Sequence, residues 1–505
     1  MSSTRKKLTI NALSALIQVV FTALLYFFLY KYLLGRLGIQ QLGIWSLILS
    51  FSSIANLANF GITSGLVKFV ADYLAEKQEN KIGKLILTAI ISMAILFSVF
   101  SVLILYGAKY FLHYVIDAQF LSIAFSILPY SLGSLCLNAV SGVFTSVLEG
   151  FQKNYLRNFI YIFSGIIMII ATVLLTPIFH LQGVAMAQLI QCIFIFIAAL
   201  VLMYRMSPFN KFTQWKWSTK TFKELFNYGY KFQVVSICQM LYEPTTKLLL
   251  SKFGGLALLG HYEMATRAVN QFRALLVNAN QVVIPVIAEK AKTSSFAHRQ
   301  DFFRTMNRIL LLFTLPLSTI LIVITPFISI IWLGSIDMDF TFAMYVLIIS
   351  VIINIMCGPS YFSCMGEGRL SILVIVHVGM AIANLVFGYL LGISLGGYGI
   401  ILSWGLSLSI GSLFLIYAYS AKISVRVLQI FSSKDYLLLI ASLLIIISII
   451  ISFTLNTLAI NNYFKTGIAL GATILIYFAI LRKNDIITSN INRILSLKKK
   501  SANQS

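Results

Sequence analysis

Apolar residues along this chain gather into long uninterrupted blocks, and Gly or Lys/Arg clusters separate one block from the next. Blocks of roughly 20 to 30 residues suit a bilayer-spanning helix, whereas a transmembrane barrel shows alternating segments of about ten. Fourteen such blocks can be marked, at 8–34, 41–70, 85–108, 119–147, 156–178, 182–204, 225–251, 256–285, 305–332, 340–364, 370–393, 397–421, 436–456 and 463–481. The pattern predicts an all-α polytopic membrane protein with about 14 transmembrane helices. No connecting loop is long enough to hold a soluble catalytic or nucleotide-binding domain.

Composition agrees. With 59% hydrophobic and 10% charged residues and a mean hydropathy of +0.91, the 505-residue chain has too little polar surface to cover a soluble globule. The first block follows Arg5, Lys6 and Lys7 but is long and lacks a small-residue cleavage site, so it reads as a retained span. Fourteen alternating spans would place 28 of the 38 Lys and Arg residues in cytoplasmic segments and five outside, with five inside the spans. The bias predicts cytoplasmic N- and C-termini. The same distribution accounts for the net charge of +23 as lipid-facing loop charge, and no nucleic-acid partner is expected.

The five cysteines (136, 192, 238, 357 and 364) sit in apolar blocks without a CxxC pair, so neither a disulfide framework nor a zinc site is suggested. No HExxH, GxxxxGK[ST] or GxSxG occurs, and the five histidines are scattered singly. The expectation is no catalytic residue, no metal and no cofactor.

Sliding the chain against itself by 216 to 218 residues aligns three places: Gly43 and Trp45 with Gly260 and Tyr262, Glu149-Gly150 with Glu367-Gly368, and Gly183 with Gly399. This predicts an N-lobe over 1–204, a cytoplasmic linker over 205–224 and a C-lobe over 225–421. Residues 422–505 add two further spans and a basic tail. Because each lobe has an even number of spans, the lobes would be related by a pseudo-twofold along the membrane normal, with a central cavity whose opening alternates between sides.

Charges inside the spans are the informative set, because each costs about 2.5 to 3.5 kcal/mol on insertion scales unless paired, hydrated or used. The stretch GHYEMATRAVNQFR from Gly260 to Arg273 carries three of them. Glu263 and Arg267 share a helix face at i, i+4 and could neutralise each other, as could Glu243 and Lys247 around Pro244. Arg273 has no acidic residue three or four positions away, and Asn270, Gln271, Asn278, Asn280 and Gln281 make its helix a candidate cavity wall. Lys31 either snorkels outward or faces the cavity; Lys68, near Asp72, and Lys231 read as snorkelling or paired. Even so, the interior has cationic excess, which suits a phosphorylated or acidic ligand. The candidate substrate-binding set is Arg267, Arg273, Lys247, Lys31 and Lys68, with Glu263 and Glu243 as counter-ions or ion carriers.

The segments LGIQQLGIWSLILSFSSIANLANFGITSGLVKFVADY (37–73), SVLEGFQKNYLRN (146–158), LLGHYEMATRAVNQFRALLVNANQVVIPVIAE (258–289) and FSCMGEGRL (362–370) resemble the Wzx-type O-antigen and polysaccharide repeat-unit flippases. These form part of the multidrug/oligosaccharidyl-lipid/polysaccharide exporter superfamily, with MATE exporters and lipid II flippases as relatives. The resemblance runs over nearly the whole chain. It implies a bacterial inner-membrane flippase that carries an undecaprenyl-diphosphate-linked oligosaccharide from the cytoplasmic to the periplasmic leaflet. It also implies that the arginine of a "YxxAxR" pattern, here Arg267, meets the diphosphate. The family's "pxDKxxL" pattern is altered to Pro244, Thr245, Thr246 and Lys247, which leaves Glu243 as the nearby carboxylate.

The expected mechanism is alternating access by a monomer, with H+ or Na+ counterflow resetting the empty cavity and a glycan polymerase and chain-length machinery as partners. A MATE-type cation exporter shares the plan but needs an acidic cavity. A membrane glycan polymerase or ligase would need a large outward loop, and none is present.

Overall fold

The computed structural model describes residues 3–55, 61–206, 216–281, 296–367, 369–454 and 462–482, and among them there is no strand. The helices are α1 (Ser3–Leu37), α2 (Ile39–Ala55), α3 (Ile62–Ala75), α4 (Ile82–Phe111), α5 (Ala118–Gly150), α6 (Asn154–Met206), α7 (Thr219–Gln281), α8 (Phe296–Leu333), α9 (Met338–Met356), α10 (Gly358–Gly366), α11 (Leu370–Lys422), α12 (Ser433–Thr454) and α13 (Asn462–Arg482). Among the described residues, seven helices are long and apolar enough to cross a membrane. Helices α6, α7 and α11 are each two segments joined at a non-helical residue, His180, Gly255 and Gly396 respectively. With α2 and α3 forming one expected span and α9 and α10 another, the segments follow the order of the fourteen apolar blocks. Large exposed apolar side chains such as Leu103, Phe163, Leu174, Ile375, Leu390 and Leu475 present the outer surface that lipid requires. This is a multi-pass membrane protein.

The internal repeat is written into the backbone. Gly38 and Gly255, 217 positions apart, both hold the left-handed conformation (φ 78° and 76°) that lets one helix turn into the next. A Cβ on Gly43 would lie 2.0 Å from the Leu256 carbonyl oxygen, and one on Gly260 would lie 2.3 Å from the Ile39 carbonyl oxygen. Ile39 and Leu256 are themselves 217 apart, so each arm makes with the other the contact it receives, as a local twofold demands. At the later hairpin the register is 216: His180 pairs with Gly396 in positive φ, and Gly183 and Gly399 press against the Leu175 and Leu391 carbonyls. The intermediate turn also repeats at 216, since Lys153 N donates to Leu148 O as Arg369 N does to Cys364 O. Glu149 and Glu367, paired at 218 in the sequence alignment, are therefore not equivalent positions.

Packing divides the chain into two compact units, Met1–Gln271 with His377–Trp404, and Phe272–Val376 with Gly405–Ser505. These follow packing and not the linear repeat. In the first unit, glycines bring α7 against α11: a Cβ on Gly254 would lie 2.9 Å from Gly397 Cα, and Asn384 donates to Thr246 Oγ1 at 2.9 Å. Its core includes Leu33, Leu42, Leu47, Ile48 and Leu66, all nearly without exposure. In the second unit α8 packs with α9, α12 and α13. Arg308 Nε donates to Asp435 at 2.6 Å, and Tyr477 donates to Thr319 at 2.7 Å, so the two added spans are fastened to α8.

Candidate functional site

Four of the intramembrane charges form a single buried assembly inside the first unit. Lys247, 2% exposed, bridges Glu243 at 2.8 Å and Glu263 at 2.7 Å. Glu263, fully buried, accepts two donors on each oxygen: Tyr30 OH (2.9 Å) and Arg267 Nε (2.7 Å) on Oε1, Ser46 Oγ (2.6 Å) and Lys247 Nζ (2.7 Å) on Oε2. Four is about the whole accepting capacity of a carboxylate. Two cations face two anions, so the assembly balances its formal charge, which is how buried ions are tolerated.

The assembly lies on the repeat. Ser46 is the counterpart of Glu263 at 217 residues, and Tyr30 is the counterpart of Lys247. Lys31, one residue past Tyr30, points about 100° away around the helix and is exposed. Lys68 is also exposed, with its ammonium 5.5 Å from the Phe69 ring centroid. Of the five candidate cationic residues, Arg267 alone lines the cavity described next. The side chains of Lys231, Asn278, Asn280 and Gln281 lie outside the described residues.

That cavity encloses about 250 Å³ within the first unit. Helix α1 contributes Gln18, Thr22, Tyr26 and Tyr30, α2 contributes Trp45, α6 contributes Tyr161, Ser164, Gln188 and Gln191, and α7 contributes Arg267. The remaining wall is Leu25, Leu29, Leu33, Leu49, Gly165, Met168 and Ile169, leaving Arg267 as the one formally charged residue of the lining. Its guanidinium lies 5.4 Å from the Tyr26 ring centroid, within cation–π range, and its side chain stays 30% exposed.

Arg273 has a different environment, in the second unit. Nη2 donates to Asn354 Oδ1 at 2.7 Å, and Asn354 in turn donates to Ser412 at 3.0 Å. Nε is buried without a hydrogen-bond partner, and no carboxylate among the described residues pairs with this guanidinium. Sequence spacing shows Arg273 to be unaccompanied along its own helix. It gives no sign of Asn354, nor of Tyr30, Ser46 and the glutamines of α6, which only tertiary packing brings in.

The family model described as "Polysaccharide biosynthesis protein" matches residues 8–290. No curated protein matches the chain. Among solved structures, a lipid II flippase MurJ in an inward closed conformation is 17% identical, with a TM-score of 0.70 over 95% of this chain and 98% of its own. An inward-facing multidrug resistance MATE family transporter of the MOP superfamily is 14% identical, with a TM-score of 0.64 over 82% and 98%. A MOP superfamily transporter from Pyrococcus furiosus, described as having a binding pocket of reversed polarity, is 13% identical, with a TM-score of 0.58 over 83% and 96%. The chain has the fold of these transporters.

Proposed function

The chain belongs to the polysaccharide biosynthesis protein family, and from that premise we propose that it is a flippase for an undecaprenyl-diphosphate-linked oligosaccharide, moving it from the cytoplasmic to the periplasmic leaflet of the bacterial inner membrane. The observation that carries this reading is Arg273, a largely buried guanidinium with an amide partner and no paired carboxylate among the described residues. A cation held this way inside a membrane protein has its charge unmatched, and a diphosphate supplies the match with forked oxygen contacts. The fold supports this reading, since transporters with this fold are found in inward-facing and outward-facing conformations, as alternating access requires. Lys247 contributes less, because both neighbouring glutamates already engage it.

A carrier of organic cations would call for carboxylates facing its ligand, and the described cavity has none on its lining. If an H+ or Na+ counterflow resets the carrier, Glu243 is the better candidate: its side chain is 46% exposed, whereas every accepting position of Glu263 is occupied.

The test is complementation of a deletion strain with Arg273→Ala, inserted at the wild-type level. Surface glycan should fall at least tenfold and lipid-linked repeat units should accumulate in the inner leaflet, with Arg273→Lys intermediate because it keeps the charge and loses the fork. Full export by Arg273→Ala, or a drug-efflux phenotype with normal glycan, would overturn the assignment.

A further inference from the structure

The cavity beside Arg267 has a chemistry of its own that a diphosphate does not explain. Glu263 already balances Arg267 through Nε, so the cavity presents a neutralised ion pair and not a bare cation. Its polar groups are mainly amides and hydroxyls, Gln18, Gln188, Gln191, Thr22 and Ser164, each able to accept as well as donate. A diphosphate offers acceptors and would leave the amide carbonyls unanswered. Set against them are the flat faces of Tyr26, Trp45 and Tyr161 over an aliphatic wall.

We propose that this cavity is a binding site for one hexopyranose ring of the transported glycan, a subsite separate in chemistry from the Arg273 phosphate contact. A pyranose has an apolar C–H face that packs on aromatic rings and a rim of hydroxyls that both donate and accept. That pairing of surfaces matches an aromatic wall with interleaved amides. The size agrees: about 250 Å³ is below the roughly 300 to 1,000 Å³ usual for larger ligands, so it holds a single ring and not a whole repeat unit. Two features point to hydroxyl recognition in detail. Gln191 Nε2 is positioned by Ser164 at 3.4 Å, and Gln188 Oε1 has no hydrogen-bond partner, an acceptor that a sugar hydroxyl can answer once the wall adjusts. Arg267, stacked by Tyr26 and held at Nε, keeps its remaining N–H groups for a ring oxygen or hydroxyl. The subsite makes the carrier selective for the identity of one sugar.

This inference rests on the flippase reading, and its test is kept independent of transport. The purified full-length protein in nanodiscs is titrated with methyl glycosides of glucose, galactose and N-acetylglucosamine, and with inorganic diphosphate. Binding is read by saturation-transfer NMR and by tryptophan fluorescence, with Trp45→Phe identifying the reporting ring. At least one glycoside should bind the wild type, and diphosphate should not compete with it. Gln191→Ala and Tyr161→Ala, checked for wild-type melting, should each weaken it roughly threefold to tenfold, the loss of one good contact. Arg273→Ala should leave glycoside binding unchanged. The proposal is overturned if no glycoside binds, if both variants bind as tightly as the wild type, or if diphosphate displaces the sugar. Glycoside binding by a protein whose Arg273→Ala form still exports glycan would separate failure of the phosphate assignment from failure of this one.

Discussion

A carboxylate buried among apolar helices is tolerated only where donors replace the water it has lost, and at Glu263 four of them do so. Replacing it with Gln keeps the volume but ends the charge match for Lys247 and Arg267. Glu263→Gln should therefore destabilise the protein by about 3 to 5 kcal/mol, the cost of breaking a buried ion pair from one side. Ser46→Ala, which removes one donor to a charged acceptor, should cost about 1.5 to 3 kcal/mol. Thermal unfolding of the purified variants in detergent measures both, and an unchanged melting temperature for Glu263→Gln would mean the assembly is not structural. The two i, i+4 pairs, Glu243 with Lys247 and Glu263 with Arg267, are legible in the sequence because helical spacing alone brings them together. The bridge that fuses them is not: Lys247 and Glu263 are 16 residues apart and meet only because Gly255 turns one helix back along the other. Cationic excess, read from the span charges alone, becomes near neutrality around Arg267 once that bridge is seen. Arg273 keeps its reading because no carboxylate among the described residues reaches it through the fold.

Glycines set how closely the elements approach. Gly43→Ala would drive a methyl into the Leu256 carbonyl and Gly260→Ala would do the same at Ile39, backbone against backbone, where no side chain can swing aside. Each should cost at least about 1 to 3 kcal/mol. Because the two contacts share one pair of helix arms, the double variant should cost less than the sum, a non-additivity visible in denaturation of the three proteins. The repeat was readable in the sequence through these same glycines, since a position with no room for a Cβ admits one residue type. The register of the middle turn was not: the backbone hydrogen bonds put it at 216, whereas matching Glu149 with Glu367 by residue type reads 218. At the turn from α10 to α11, burial by itself would raise the Glu367 carboxyl. Hydrogen bonds from Lys422 and from Tyr419 at 2.8 Å, with Arg369 nearby, hold it instead below its ordinary value near 4.5. A depressed carboxyl contributes stability above its unfolded value and loses that contribution as pH falls through the folded one. The melting-temperature gap between wild type and Glu367→Gln should be full at neutral pH and close as pH drops below about 4.5. A gap that persists at the acid end would assign the effect to packing.

For the molecule as a whole, the proposed flippase reading raises the question of what drives an anionic headgroup across. On the topology expected from the sequence, 28 of the 38 Lys and Arg lie in cytoplasmic segments, and under the proposed reading they would attract anionic lipid at the loading leaflet. A charge leaving a negative interior gains roughly 2.3 kcal/mol per 100 mV, so a diphosphate that crosses with its charge uncompensated is pulled outward by the resting potential. Reconstituted vesicles with an imposed, inside-negative potential should therefore flip a lipid-linked glycan from the inner leaflet faster than vesicles at zero potential. Reversing the potential should slow the step. The magnitude reports the charge that moves: at 100 mV one full charge bounds the gain at about 50-fold, and partial sharing with Arg273 lowers it. A rate indifferent to voltage would mean that the loaded carrier is electrically neutral, with a cation accompanying the headgroup. Glu243, half-exposed beside a Lys247 that already has Glu263, would then be the residue to examine, and Glu243→Gln should turn the voltage-indifferent step into a voltage-sensitive one.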